Sequence, residues 1–213
     1  MRFFLFFFFF FSFLHAANMD DKKISMRLGY GVADINNLGY ILVGDHQRYE
    51  EDTALINLDT GYRISQQFND WPLDIYVKGS LSYFKEKDVL NYETGKESED
   101  FLEAVVYIKA YLNLDFSDNR LRIGVGEGLS FAKEVPIVEV YDALQQDGIG
   151  PTSKILNYLD VSFDIDVGRL FSVDALRDTY LGYTIKHRSG IFGLFNGVKG
   201  GSNYNMITIE KNF

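Results

Sequence analysis

No cysteine occurs anywhere in the 213 residues, which excludes a disulfide framework, lipid attachment through a cysteine, and every thiolate-based metal site or nucleophile. Positive charge is scarce as well. Lysine and arginine total 21 against 30 aspartates and glutamates, a net charge of −9 with no basic patch, and this argues against nucleic acid as a partner. Of the three histidines, His15 lies in the N-terminal apolar segment, while His46 and His187 stand far apart without ligand spacing, so no metal site is expected. Gly124-x-Gly126-x-Gly128 has the wrong spacing for a dinucleotide fingerprint and no helix follows it, so no cofactor is expected either. After the first 14 residues no apolar run is long enough for a transmembrane helix, and any membrane reading must rest on strand periodicity.

What the sequence does contain begins with Met1-Arg2 and an unbroken apolar run, Phe3 to Phe11, extended by Ser12, Phe13 and Leu14. The run is too short to span a bilayer as a helix, and it ends in His15-Ala16-Ala17-Asn18 before Asp20, Asp21, Lys22 and Lys23, the pattern of a cleaved secretory signal. Residues 1–17 are therefore expected to be a leader and 18–213 one β-barrel domain, with an uncleaved anchor as the alternative. A mature chain of that size suits a single domain.

From there apolar and polar residues alternate with period two in eight blocks, each about long enough for a tilted strand to cross a bilayer. The alternation predicts strands over Ile24–Ala33, Thr53–Gln67, Leu73–Lys85, Phe101–Phe116, Arg120–Phe131, Leu156–Gly168, Thr179–Ser189 and Asn203–Phe213. The expected fold is all-β: an eight-stranded antiparallel transmembrane β-barrel of the outer-membrane type, with a soluble sandwich as the alternative. Short turns (Asn69–Pro72, Ser117–Asn119) alternate with long polar loops, which places the turns and both termini on the periplasmic side and the loops outside. Ser172–Arg177 reads as a helical turn capped by Ser172. The last strand ends on Phe213, with Ile207 and Ile209 at even spacing before it. A terminal aromatic of this kind resembles the signal read by the barrel-assembly machinery of the outer membrane.

Parity assigns the faces. In the sixth block Leu159, Val161, Phe163, Ile165 and Val167 face lipid, while Asp160, Ser162, Asp164 and Asp166 face a lumen that eight strands leave just wide enough to fill with side chains. Those carboxylates need cations, with Arg120, Arg122 and Lys109 as candidates, because an unpaired buried charge is too costly. Tyr30, Tyr40, Tyr62, Trp71, Tyr76, Tyr83, Tyr107, Tyr111, Tyr158, Tyr180, Tyr183 and Tyr204 are expected at the membrane interfaces.

At the outer end of the seventh strand stands His187-Arg188-Ser189-Gly190, followed by a glycine-rich loop to Asn203. Residues two apart on a strand share a face at roughly 7 Å between Cα atoms. By parity with Leu181, Tyr183 and Ile185, His187 and Ser189 face lipid, and a base beside a hydroxyl is what a serine nucleophile requires. This His-x-Ser pair before a glycine- and asparagine-containing loop resembles the lipid A 3-O-deacylase family of outer-membrane barrels over the barrel plan and the last thirty or so residues. The resemblance implies an esterase acting on lipid A of lipopolysaccharide, with Ser189 as nucleophile and His187 as base. The family's motif continues with asparagine where this chain has Gly190, and no acid lies between Ser189 and Asn205. The third member is sought elsewhere: Glu127, outward by parity with Val125 and Leu129, comes first, with Glu139 and Asp142 as further candidates. Amides of the Gly190–Gly201 loop, with Asn196, Asn203 or Asn205, would receive an oxyanion, and Arg188 or Lys186 would hold lipopolysaccharide phosphates. The competing reading is a non-catalytic barrel that binds lipopolysaccharide or another surface ligand through its loops.

Overall fold

The computed structural model describes residues 22–49, 53–86, 90–91, 95–145 and 150–213, and the leader expected over residues 1–17 lies outside them. Eight antiparallel strands form a closed barrel: β1 (Ile24–Asp34), β2 (Ala54–Ser65), β3 (Leu73–Lys85), β4 (Phe101–Phe116), β5 (Asn119–Ala132), β6 (Ile155–Asp166), β7 (Thr179–Ser189) and β8 (Gly201–Asn212). Each strand pairs with its successor in the chain, and β8 pairs back onto β1, so the barrel itself has no open edge. The seam ends in two backbone bonds, Ile24 N–H to Phe213 O at 3.2 Å and Phe213 N–H to Ile24 O at 2.8 Å.

β3, β4 and β7 begin and end where the alternation predicts. β6 is shorter than expected, because the Asp166 side chain accepts the Arg169 N–H at 3.0 Å and starts a helical turn, Val167–Leu170. The expected Ser172 cap is replaced. Ser172 sits at φ 55°, and the short 3₁₀ turn Asp174–Leu176 is preceded by Val173 with no side-chain cap.

The apolar face of each strand points outward and stays exposed, including Leu28, Ile56, Leu81, Val106, Val125, Phe163, Leu181 and Ile207. Such a belt suits hydrocarbon. No helix among the described residues is long and apolar enough to cross a membrane. Half of the aromatics expected at the interfaces are instead inside: Tyr76, Tyr107, Tyr111, Tyr158, Tyr180 and Tyr204 are buried, and several hydrogen-bond carboxylates there. Parity explains this, since each lies on the polar face of its strand.

The lumen is filled by ion pairs. Arg27 meets Asp59 at 2.6 Å and Asp160 at 2.5 Å, and Lys109 also pairs with Asp160. Lys78 meets Glu210 at 2.9 Å, Arg122 meets Asp164 at 3.1 Å and Glu210 at 3.6 Å, and Lys186 and Arg188 share Glu103. Lys109 and Arg122 therefore serve as expected, whereas Arg120 pairs with Asp115 at the short-turn end and Arg27 supplies the missing charge. Gly124 and Gly126 make room for lumenal side chains: a Cβ on Gly124 would lie 2.6 Å from Lys109 Cε, and one on Gly126 2.8 Å from the Tyr107 ring.

At the long-loop end the lumen turns apolar and is covered by α1 (Ile137–Gln145), whose Ile137, Val138 and Val140 pack with Phe84, Phe101, Tyr204 and Met206. Glu86, just beyond β3, accepts the Ile137 N–H at 3.0 Å and the Tyr204 hydroxyl at 3.2 Å, and so caps this helix from across the mouth. Burial pushes its carboxyl up to about 8. The proton is held more tightly in the folded state, so this group's stabilisation is complete below its ordinary value of 4.5 and is lost as pH rises through about 8. Hydrogen-exchange protection of the α1 amides, corrected for intrinsic base catalysis, is expected to fall above about pH 8 in the native chain and to stay level in Glu86→Gln. Equal profiles in the two proteins would contradict the assignment.

Candidate functional site at the long-loop end of the outer wall

The strand register brings a row of polar side chains onto an otherwise apolar wall. Glu127 on β5 pairs with Leu159 on β6, Leu159 with His187 on β7, His187 with Asn203 on β8, and Asn203 with Asp34 on β1. One step nearer the loops, Asn157 pairs with Ser189. All of these face outward, so His187, Ser189 and Glu127 share one surface as parity predicts.

Their contacts are more specific than parity could tell. His187 Nδ1 lies 2.7 Å from Asn203 Oδ1, and the Asn203 amide nitrogen donates to the Asn36 carbonyl at 2.8 Å. Ser189 Oγ accepts the Ile191 N–H at 3.1 Å, which leaves the hydroxyl proton to be donated elsewhere. His187 and Ser189 are thus neighbours on one face without a hydrogen bond between them. Glu127 is held by the Asn157 amide and reaches His187 only through space.

Arg188, expected to hold phosphates, is turned into the lumen with no exposed surface and is ion-paired to Glu139 at 2.8 Å, and Lys186 is equally buried. The physical reason is parity again: neighbours of outward-facing His187 must point inward. Glu139 is consumed by that pair and by the Ser202 hydroxyl at 2.7 Å, and burial raises its carboxyl above the usual range. Asp142 accepts the Gly201 N–H at 3.3 Å. Among the amide donors expected for an oxyanion, Gly190 N–H donates to Gly200 O at 3.0 Å and Asn196 to Ser153 Oγ at 2.8 Å. Asn205 donates to Asp34 at 2.6 Å and accepts from the Tyr183 hydroxyl at 2.6 Å.

The feature that spacing did not reveal is the loop after β1. It folds back along β1, with Ile35 N–H to Gln47 O at 2.9 Å and Tyr49 N–H to Ala33 O at 3.1 Å, and carries a single short helical turn, Leu38–Leu42. It then fastens to the outer wall: Asp34 accepts from Asn36 N at 2.8 Å and lies 3.3 Å from His46 Nδ1, and the His46 ring meets Tyr183 edge-on at 6.1 Å. Both histidines among the described residues therefore stand on the same wall. No group of His, Asp and Glu able to hold a metal occurs among those residues.

No family model and no curated protein matches the chain. Solved structures do. The outer membrane enzyme PagL aligns over 89% of this chain and 99% of its own with a TM-score of 0.56 at 11% identity. Neisserial surface protein A (NspA) aligns over 91% and 98% with a TM-score of 0.50 at 14% identity. At these identities the likeness is one of architecture, and that architecture is the eight-stranded barrel of bacterial outer-membrane proteins.

Proposed function

We propose that the chain is an outer-membrane esterase that removes an ester-linked acyl chain from lipid A of lipopolysaccharide. The observation that carries this reading is the outward row Glu127, His187, Ser189 and Asn203, which with Asn157, Asp34 and Asn205 forms a polar patch on a wall whose other outward strand residues are largely apolar. Polar and ionisable groups facing a bilayer are costly and mark sites of function. An acyl chain in the outer leaflet would reach Ser189 by lateral diffusion, with no entry into the filled lumen.

In this reading Ser189 Oγ attacks the acyl carbonyl while His187 takes its proton, and the proton then passes to the departing alkoxide. Water hydrolyses the acyl-enzyme by the same relay, releasing the fatty acid. The bond must first be made, by a modest rotation that brings the imidazole to Oγ; such contacts are commonly loose before substrate binds. Glu127, held by Asn157, stabilises the imidazolium at a distance. Ile191 N–H, 3.1 Å from Oγ, is the donor nearest the reacting centre.

A second reading, a barrel that binds a surface ligand without chemistry, is favoured by one observation: Ser189 and His187 do not hydrogen-bond to each other. Mass spectrometry of lipid A from cells with and without this chain separates the two. The esterase reading expects a species lighter by one acyl chain on expression, and an unchanged acyl profile would leave the binding barrel.

A further inference from the structure

We propose that Asn203 is the positioning residue of this site: with its amide held in one orientation by the loop after β1, it keeps His187 in the tautomer that carries its proton on Nδ1 and presents Nε2 as the base. The argument begins with the amide. Oxygen and nitrogen of an asparagine side chain are assigned from their partners, and here the partners decide, because one end of Asn203 faces the Asn36 carbonyl at 2.8 Å. A carbonyl only accepts, so that end must be NH₂. The opposite end, 2.7 Å from His187 Nδ1, is then the oxygen, and it too only accepts. Nδ1 must therefore bear hydrogen, and in the neutral ring Nε2 keeps its lone pair.

Two features make the orientation durable. Asn203 is buried, so water competes poorly for its amide. Asn36 is itself fixed, its N–H donating to Asp34 at 2.8 Å and its side chain to the Asp45 carbonyl at 3.0 Å. The loop after β1 thus determines which nitrogen of a histidine on β7 can accept a proton, a task that a carboxylate performs in serine triads and an asparagine in some cysteine proteases. The inference rests on the esterase reading for its purpose but not for its test.

The test is the ring ¹⁵N spectrum of His187, with the chain labelled on histidine and folded in detergent, assigned by comparison with His187→Gln. In the neutral ring, Nδ1 is expected at a protonated, pyrrole-like shift and Nε2 at an unprotonated, pyridine-like one. Asn203→Ala should move the equilibrium toward the Nε2–H form usual in water. Asn203→Asp should restore Nδ1–H, since its carboxylate also accepts. Asn205→Ala, which removes the amide that meets Asp34 and His46 but leaves the loop's own bonds to Asp34 and the bond from Asn203 to Asn36 in place, should leave the tautomer unchanged. An Nε2–H ring in the native chain overturns the proposal, and so does a ring indifferent to Asn203→Ala, or one that Asn205→Ala disturbs equally. Lipid A profiles of the same variants keep the two readings apart. The expected tautomer without deacylation would sustain the role of Asn203 and remove the esterase, whereas deacylation by a chain with Nε2–H would remove only the role of Asn203.

Discussion

Alanine in place of Ser189 is expected to lower acyl-chain release by about 10⁴-fold or more, the scale on which serine hydrolases lose rate when the nucleophile is removed. Assembly should survive. The Oγ accepts one hydrogen bond, from Ile191 N–H, and losing a single such bond costs about 1 kcal/mol. His187→Ala should be as damaging, and the double variant no worse than either single one, because residues that act as a unit are not additive. Glu127→Gln keeps an acceptor for Asn157 and removes only a charge acting at a distance, so its effect should be far smaller. The measurement is release of fatty acid from purified lipopolysaccharide by each folded barrel. Equal release by Ser189→Ala would assign the activity elsewhere.

The second large effect is expected in the lumen. Asp160 is fully buried and receives Arg27 at 2.5 Å, Lys109, and the Tyr158 hydroxyl at 3.1 Å. Asp160→Ala would leave Arg27 with Asp59 and take from Lys109 the carboxylate it pairs with, and removing one partner of a buried pair costs about 3–5 kcal/mol. Asp160→Leu combined with Lys109→Met removes charge from both sides and should recover much of that loss, as hydrophobic replacement of buried pairs often does. Urea titration of the barrels refolded into lipid vesicles would measure both. A double variant as unstable as the single one would show that volume, not charge, governs the site.

The eight strands were legible because a barrel in lipid imposes period two on every strand, and the same parity correctly turned His187, Ser189 and Glu127 to one side. What parity cannot supply is the partner across the barrel. Arg27 reaches Asp160 over 133 positions of sequence, and no local pattern announces that distance. Loop structure was illegible for a related reason. The α1 helix is held by Glu86, Arg188 and an apolar mouth assembled from other strands, not by its own sequence. Asn203 fell within the right stretch but with another task foreseen, because its bond to Asn36 depends on a loop that begins on the far side of the β1–β8 seam.

That seam also constrains how the molecule can be made. Every other strand pair joins sequence neighbours across a turn or loop and can zip as soon as both members exist, whereas β1 must wait for β8 with its free side unpaired. The pairing of greatest loop length comes last and dominates the entropic barrier. Until then β1 is an exposed template for any passing strand, and Gly29 and Gly31 face the very Met206 that will cover them. The vulnerable species in biogenesis is therefore the nearly complete chain, seven strands zipped into an open sheet with the β1 and β7 edges bare, and a factor that shields the β1 edge until β8 arrives would protect this barrel more than one that accelerates any hairpin.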